Sequence, residues 1–75
     1  MRQLLNTLFI TSEDVYTSLD GENVIVRSDD EIKGRFPLHI LEAIFIFSYK
    51  GASPALMGKC ADMGIDLVFC TPYFG

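Results

Sequence analysis

The sequence predicts a mainly β (α+β) fold, a small β-sandwich of about six strands with one helix between the last two. Three observations carry that expectation. Short runs of alternating apolar and polar residues recur between Leu4 and Cys70, separated by Gly, Asp and Ser at turn spacing. The segment Ser53–Gly64 carries both a helix start and a helix stop. At 75 residues, 49% of them apolar and 21% charged, the chain is too hydrophobic for disorder and has room for one domain.

The elements follow in order. Leu4–Thr11 reads as a strand with Leu4, Leu8 and Ile10 on one face and Leu5 and Phe9 on the other, which predicts burial on two sides. Ser12-Glu13-Asp14 is a polar turn. Val15–Leu19 and Glu22–Arg27 alternate around Asp20-Gly21, a strong hairpin signal. A two-residue turn at that dipeptide would place Val15 opposite Val26, Thr17 opposite Val24 and Leu19 opposite Glu22. Ser28–Glu31 is the next turn. Ile32, Gly34 and Phe36 then alternate with Lys33 and Arg35 as a half-exposed strand that Pro37 ends.

Pro37–Leu41 predicts one helical turn with Leu38 and Leu41 inward. Glu42–Tyr49 is the most hydrophobic strand and suits a fully covered position. Lys50-Gly51-Ala52 is a loop. Ser53 caps the helix and Pro54 suits its first position, where no N–H is needed. Leu56, Met57, Cys60 and Met63 share one helical face, Lys59 and Asp62 the other, and Gly64 closes the helix in the left-handed conformation. Ile65–Cys70 is a last strand, followed by Thr71-Pro72-Tyr73-Phe74-Gly75. A helical crossover permits the last two strands to be parallel.

Composition narrows the function classes. The longest apolar run, Ala43–Phe47, is far shorter than the roughly 18 residues of a membrane helix. The start Met1-Arg2-Gln3, interrupted soon by Asn6 and Thr7, is unlike a signal peptide. The expectation is a soluble cytoplasmic domain without a membrane partner. Net charge is −4, and seven acids lie between Glu13 and Glu31 against Arg27 alone. Such a block repels phosphate. Lys33, Arg35, Lys50 and Lys59 are the candidate DNA-facing positions, if they converge.

No catalytic constellation emerges, nor a cofactor site. His39 and Glu42 are three apart, but one imidazole and one carboxylate fall short of the three or four ligands of a zinc site. Asp29-Asp30-Glu31 lacks the glycine and ligand spacing of a calcium loop. Ser53 has no neighbouring base, so capping accounts for it better than nucleophilic chemistry. Gly51-Ala52-Ser53 is not a multi-glycine phosphate loop. Cys60 and Cys70, ten apart, match no zinc or redox spacing and read as reduced, buried thiols. Tyr16, Tyr49 and Tyr73 lack interleaved Arg and Lys and read as core or interface aromatics.

The order of parts nevertheless resembles a known family. The strand Leu8-Phe9-Ile10-Thr11, the hairpin around Leu19-Asp20-Gly21, and Phe36-Pro37-Leu38-His39-Ile40-Leu41-Glu42-Ala43-Ile44 are followed by Ser53-Pro54-Ala55-Leu56-Met57, Met63-Gly64-Ile65-Asp66-Leu67 and Phe69-Cys70-Thr71-Pro72. Together they resemble the N-terminal β-domain of the CRISPR-associated endonuclease that integrates new spacers, and Arg2–Thr11 is most similar to its type I-C form. The likeness covers essentially the whole chain.

That resemblance implies a metal-dependent DNA endonuclease and integrase, with magnesium or manganese, working as symmetric dimers bridged by a smaller adaptation protein. In the family the metal ligands sit in a helical C-terminal domain that this chain does not contain. Residues 1–75 are therefore expected to be the N-terminal β-domain alone, with no catalytic or metal-binding residue. His39 and Glu42 do not correspond to the family's ligands. A strand absent from the sandwich would leave an open sheet edge and favour self-association, through the family's dimer contact or by edge-strand exchange. The alternative reading is a free-standing small acidic β-protein that binds a protein partner.

Overall fold

The computed structural model describes residues 2–70, with side chains from residue 5 onward. Thr71–Gly75, and with them the expectation for Tyr73, lie outside the described residues, as does the side chain of Leu4. Among the described residues, seven strands, one helical turn and one helix occur in the order β1 (Arg2–Leu4), β2 (Thr7–Ile10), β3 (Tyr16–Asp20), β4 (Asn23–Ser28), β5 (Glu31–Pro37), a 3-10 turn (Leu38–Ile40), β6 (Ala43–Ile46), α1 (Pro54–Met63) and β7 (Asp66–Phe69). They form a four-stranded sheet, β1-β2-β6-β7, and a three-stranded sheet, β3-β4-β5. The fold is mainly β, with the helix between the last two strands as the sequence predicts.

The four-stranded sheet is built around β6, which runs parallel to β2 on one side and to β7 on the other. Its inward residues Ile44 and Ile46 are fully buried, as are Leu8 and Ile10 beside them. Val24 and Val26 from β4, Leu38 from the 3-10 turn, and Leu56 and Cys60 from α1 complete one core between the two sheets and the helix. By burying roughly 1.5–3 kcal/mol per large aliphatic side chain, these residues supply the main favourable term for so small a chain.

Three expectations are corrected by this geometry. The predicted strand Leu4–Thr11 is a hairpin, because the chain reverses at Leu5-Asn6 and β1 pairs antiparallel with β2. Leu5 takes a left-handed φ of 55° and is 93% exposed, so it belongs to neither buried face. A branched aliphatic residue in that conformation is unusual. Asn6 is what holds the corner: its carbonyl accepts from Glu42 N (2.8 Å) and its side-chain amide donates to the Glu42 carboxylate (2.7 Å).

The second correction concerns register. The β3–β4 turn residues are Gly21-Glu22, not Asp20-Gly21, since Asp20 pairs with Asn23, Leu19 with Val24 and Thr17 with Val26. Gly21 has φ 62° and stands first in the turn, where a type II′ turn requires positive φ. The shift is by two residues, so the inward face is unchanged.

The third lies in β5. Val26 pairs with Gly34 but Arg27 pairs with Ile32, leaving Lys33 as the extra residue of a bulge. The bulge turns Ile32, 48% exposed, away from the face that Gly34 and Phe36 share.

Local signals hold well elsewhere. Ser53 Oγ accepts from Leu56 N at 3.1 Å, Pro54 opens α1, and Gly64 ends it at φ 72°. Leu38 and Leu41 are buried around the 3-10 turn. The loop after β6 also serves as a partial edge cover. Thr17 N donates to Gly51 O (3.1 Å) and Ser53 N donates to Thr17 O (2.9 Å), so residues 51–53 lie along the outer edge of β3. The helix amphipathicity is narrower than expected: Leu56 and Cys60 are buried, whereas Met57 and Met63 are 40% and 38% exposed.

Candidate interaction surface

The two sheets present different outer faces. On the three-stranded sheet the outward positions are mostly polar and charged, with Ile25 and Ile32 among them. Arg35, directly opposite Ile25 on β4, forms an ion pair with Asp20 at 3.0 Å, and Lys33 pairs with Glu31 at 3.0 Å. Ile25, 2% exposed on this outer side, lies between Ser18 and Arg35 as cross-strand partners; it is a buried position outside the central core. Lys59 on α1 reaches Glu22 in the β3–β4 turn at 3.2 Å. Lys50 is exposed in the loop after β6.

The four candidate DNA-facing cations are thus distributed over β5, α1 and a loop. Three of them are matched by carboxylates. Each pair is solvent-exposed on at least one side, where such pairs contribute about 0–1 kcal/mol.

Part of the acidic block comes together at the end of the sandwich opposite the β3–β4 turn. Ser28 Oγ donates to Asp14 Oδ2 (3.2 Å), drawing the Ser12–Asp14 turn beside the Asp29-Asp30 turn. Tyr49 OH donates to Glu13 Oε2 (3.3 Å), and the glutamate's charge pushes the phenol's pKa above its ordinary value, with partial desolvation second.

The outer face of the four-stranded sheet is aromatic. Phe9 and Phe45 stack with ring centroids 5.3 Å apart at an interplanar angle of 17°. They are half-buried, as is Phe47, and Val68 on β7 is 37% exposed. Among the described residues the hydrophobic run of β6 is hydrogen-bonded on both edges, buried on its inner face and half-covered on its outer one, which corrects the expectation of full coverage. Around the helix side of β7 an apolar groove of about 290 Å³ is lined by Met57, Cys60, Ala61, Ile65, Leu67 and Phe69.

A divalent metal finds no fitting donor set among the described residues. No group of three or more His, Cys, Asp or Glu side chains is arranged to hold one. His39 is exposed, and the Glu42 carboxylate is engaged by Asn6. Asp29, at φ 54°, serves the β4–β5 turn. Both cysteines are free thiols; Cys60 is buried in the core, where desolvation pushes its pKa up, and Cys70 is half-buried. Among the described residues no helix is long and apolar enough to cross a membrane.

Sequence reasoning missed the aromatic outer face and the helix–strand groove as surfaces. The signal was present: Phe9, Phe45, Phe47 and Val68 occupy one strand parity, opposite Leu8, Ile10, Ile44 and Ile46, once β2, β6 and β7 are set side by side.

The described chain is thus a two-sheet domain with a helical crossover, whose distinctive surfaces are apolar faces. Comparison with known proteins narrows that class to a family. The sequence model described as "CRISPR associated protein Cas1" matches residues 8–75, and the chain belongs to that family. It is 41% identical over 73 residues to "CRISPR-associated endonuclease Cas1 1" of Chlorobaculum tepidum, covering 97% of this chain and 21% of the relative. To "CRISPR-associated endonuclease Cas1 2" of Rhodospirillum rubrum it is 43% identical over 68 residues, covering 91% of this chain and 20% of the relative. The chain spans about a fifth of the length of these relatives. Its fold is also that of part of a chain in a solved "Cas6-RT-Cas1--Cas2 complex", with a TM-score of 0.81, 19% identity, and coverage of 92% of this chain and 8% of that one.

Proposed function

We propose that residues 1–75 are the N-terminal structural and dimerisation domain of a metal-dependent DNA endonuclease and integrase that inserts new CRISPR spacers, and that this domain is itself non-catalytic. The family match across residues 8–75 carries the reading, supported by relatives named as CRISPR-associated endonucleases. The free-standing acidic module is not favoured, because the matching relatives are about five times as long and the similarity to them runs through almost the whole chain.

In this reading the magnesium or manganese ions of the whole protein are held outside residues 1–75. The smaller adaptation protein is the bridging partner, as the solved complexes that share this fold include Cas2. Self-association occurs between copies of this domain, for which the β1, β5 and β7 edges are candidate backbone surfaces among the described residues. DNA contact through Lys33, Arg35, Lys50 and Lys59 is weak and salt-sensitive, because three of these cations already have carboxylate neighbours. The place of action is the cytoplasm.

The decisive experiment incubates the purified 75-residue chain with branched and linear DNA and manganese or magnesium. The expected result is intact DNA; robust metal-dependent cleavage would overturn the proposal. Light scattering at high micromolar concentration tests the self-association clause, with a monomer as the result against it.

A further inference from the structure

We draw no further inference here: the strongest candidate, the apolar groove between α1 and β7 lined by Met57, Cys60, Ala61, Ile65, Leu67 and Phe69, carries nothing because nothing in the structure shows what covers it.

Discussion

The two sheets solve the same burial problem with different chemistry. In the three-stranded sheet every neighbour is joined by a short turn, and the outer face carries mainly polar side chains, including the Arg35–Asp20 and Lys33–Glu31 pairs, around Ile25. In the four-stranded sheet, β6 pairs in parallel with a strand 36 positions earlier, as in Thr7 with Ala43, and its outer face carries stacked phenylalanines. Hairpins close small loops and form contacts locally, whereas parallel pairing must first bring distant segments together. The four-stranded sheet is therefore expected to depend more heavily on its inner aliphatic layer, while its outer layer is aromatic and half-buried.

The largest expected effect tests that dependence. Ile44→Ala removes a fully buried side chain from the central strand and should cost about 2–4 kcal/mol, read as a lower urea midpoint. Val24→Ala, equally buried but in the hairpin sheet, removes fewer methyl groups and should cost less. Equal losses would dissolve the contrast between the sheets. If Ile44→Ala fails to fold, Ile44→Val gives a graded version of the same comparison.

A second substitution should act in the opposite direction. Thr17, on the edge strand of the hairpin sheet, is fully buried, and its hydroxyl has no hydrogen-bond partner among the described residues. Thr17→Val keeps the shape and removes an unsatisfied polar atom, so stability should rise by about 1 kcal/mol. A loss of stability in thermal unfolding would mean that the hydroxyl is satisfied and that the edge is tighter than the geometry indicates.

The third prediction is a pH dependence. Burial raises the Cys60 thiol above its ordinary 9.0, and Glu13 raises the Tyr49 phenol above 10.0. As pH climbs past 9.0 the unfolded chain gives up the cysteine proton while the folded chain retains it. Unfolding then releases protons, so stability is at its full value below that pH and declines above it. Urea midpoints from pH 7 to pH 10.5 should fall, and Cys60→Ala, though less stable at neutral pH, should show a shallower decline.

The smallest effect belongs to the charged outer face. Arg35→Gln breaks the pair with Asp20, in which both side chains are at least half exposed, and should change stability by no more than about 0.5 kcal/mol. A larger loss would show that Arg35 holds Ile25 covered from the opposite strand, and that the hairpin sheet relies on its outer layer as well.

Legibility followed the range of the forces involved. Ser53, Pro54 and Gly64 delimit α1 through bonds within a few residues, and the helix lies where those residues place it. The two-residue error at Gly21 arose because Asp-Gly satisfies one turn type and Gly-Glu another, while the alternation of Val15, Thr17, Val24 and Val26 is indifferent to a slip of two. The hairpin at Leu5 had only Asn6 as a cue, and Asn6 bonds to Glu42, 36 positions away. Lys33 gives no sign of being a bulge residue, since its neighbours alternate cleanly.

On the candidate surface, the identity of the four cations was readable, and their neutralisation by Asp20, Glu22 and Glu31 was not. Those pairs exist only once β3, β5 and α1 have been placed.

What the sequence alone determined is the strand-rich class, the single helix with its two caps, the inward aliphatic residues, and a likeness to a family that comparison then confirmed. Each depends on periodicity, on neighbouring residues, or on the order of motifs. Tertiary structure decided which strands are parallel, where the first strand folds back, which cations meet carboxylates, and that the outer face of β6 is only half-covered among the described residues. Those outcomes depend on contacts between segments tens of residues apart, whose free energies appear only when the sheets close on a common core.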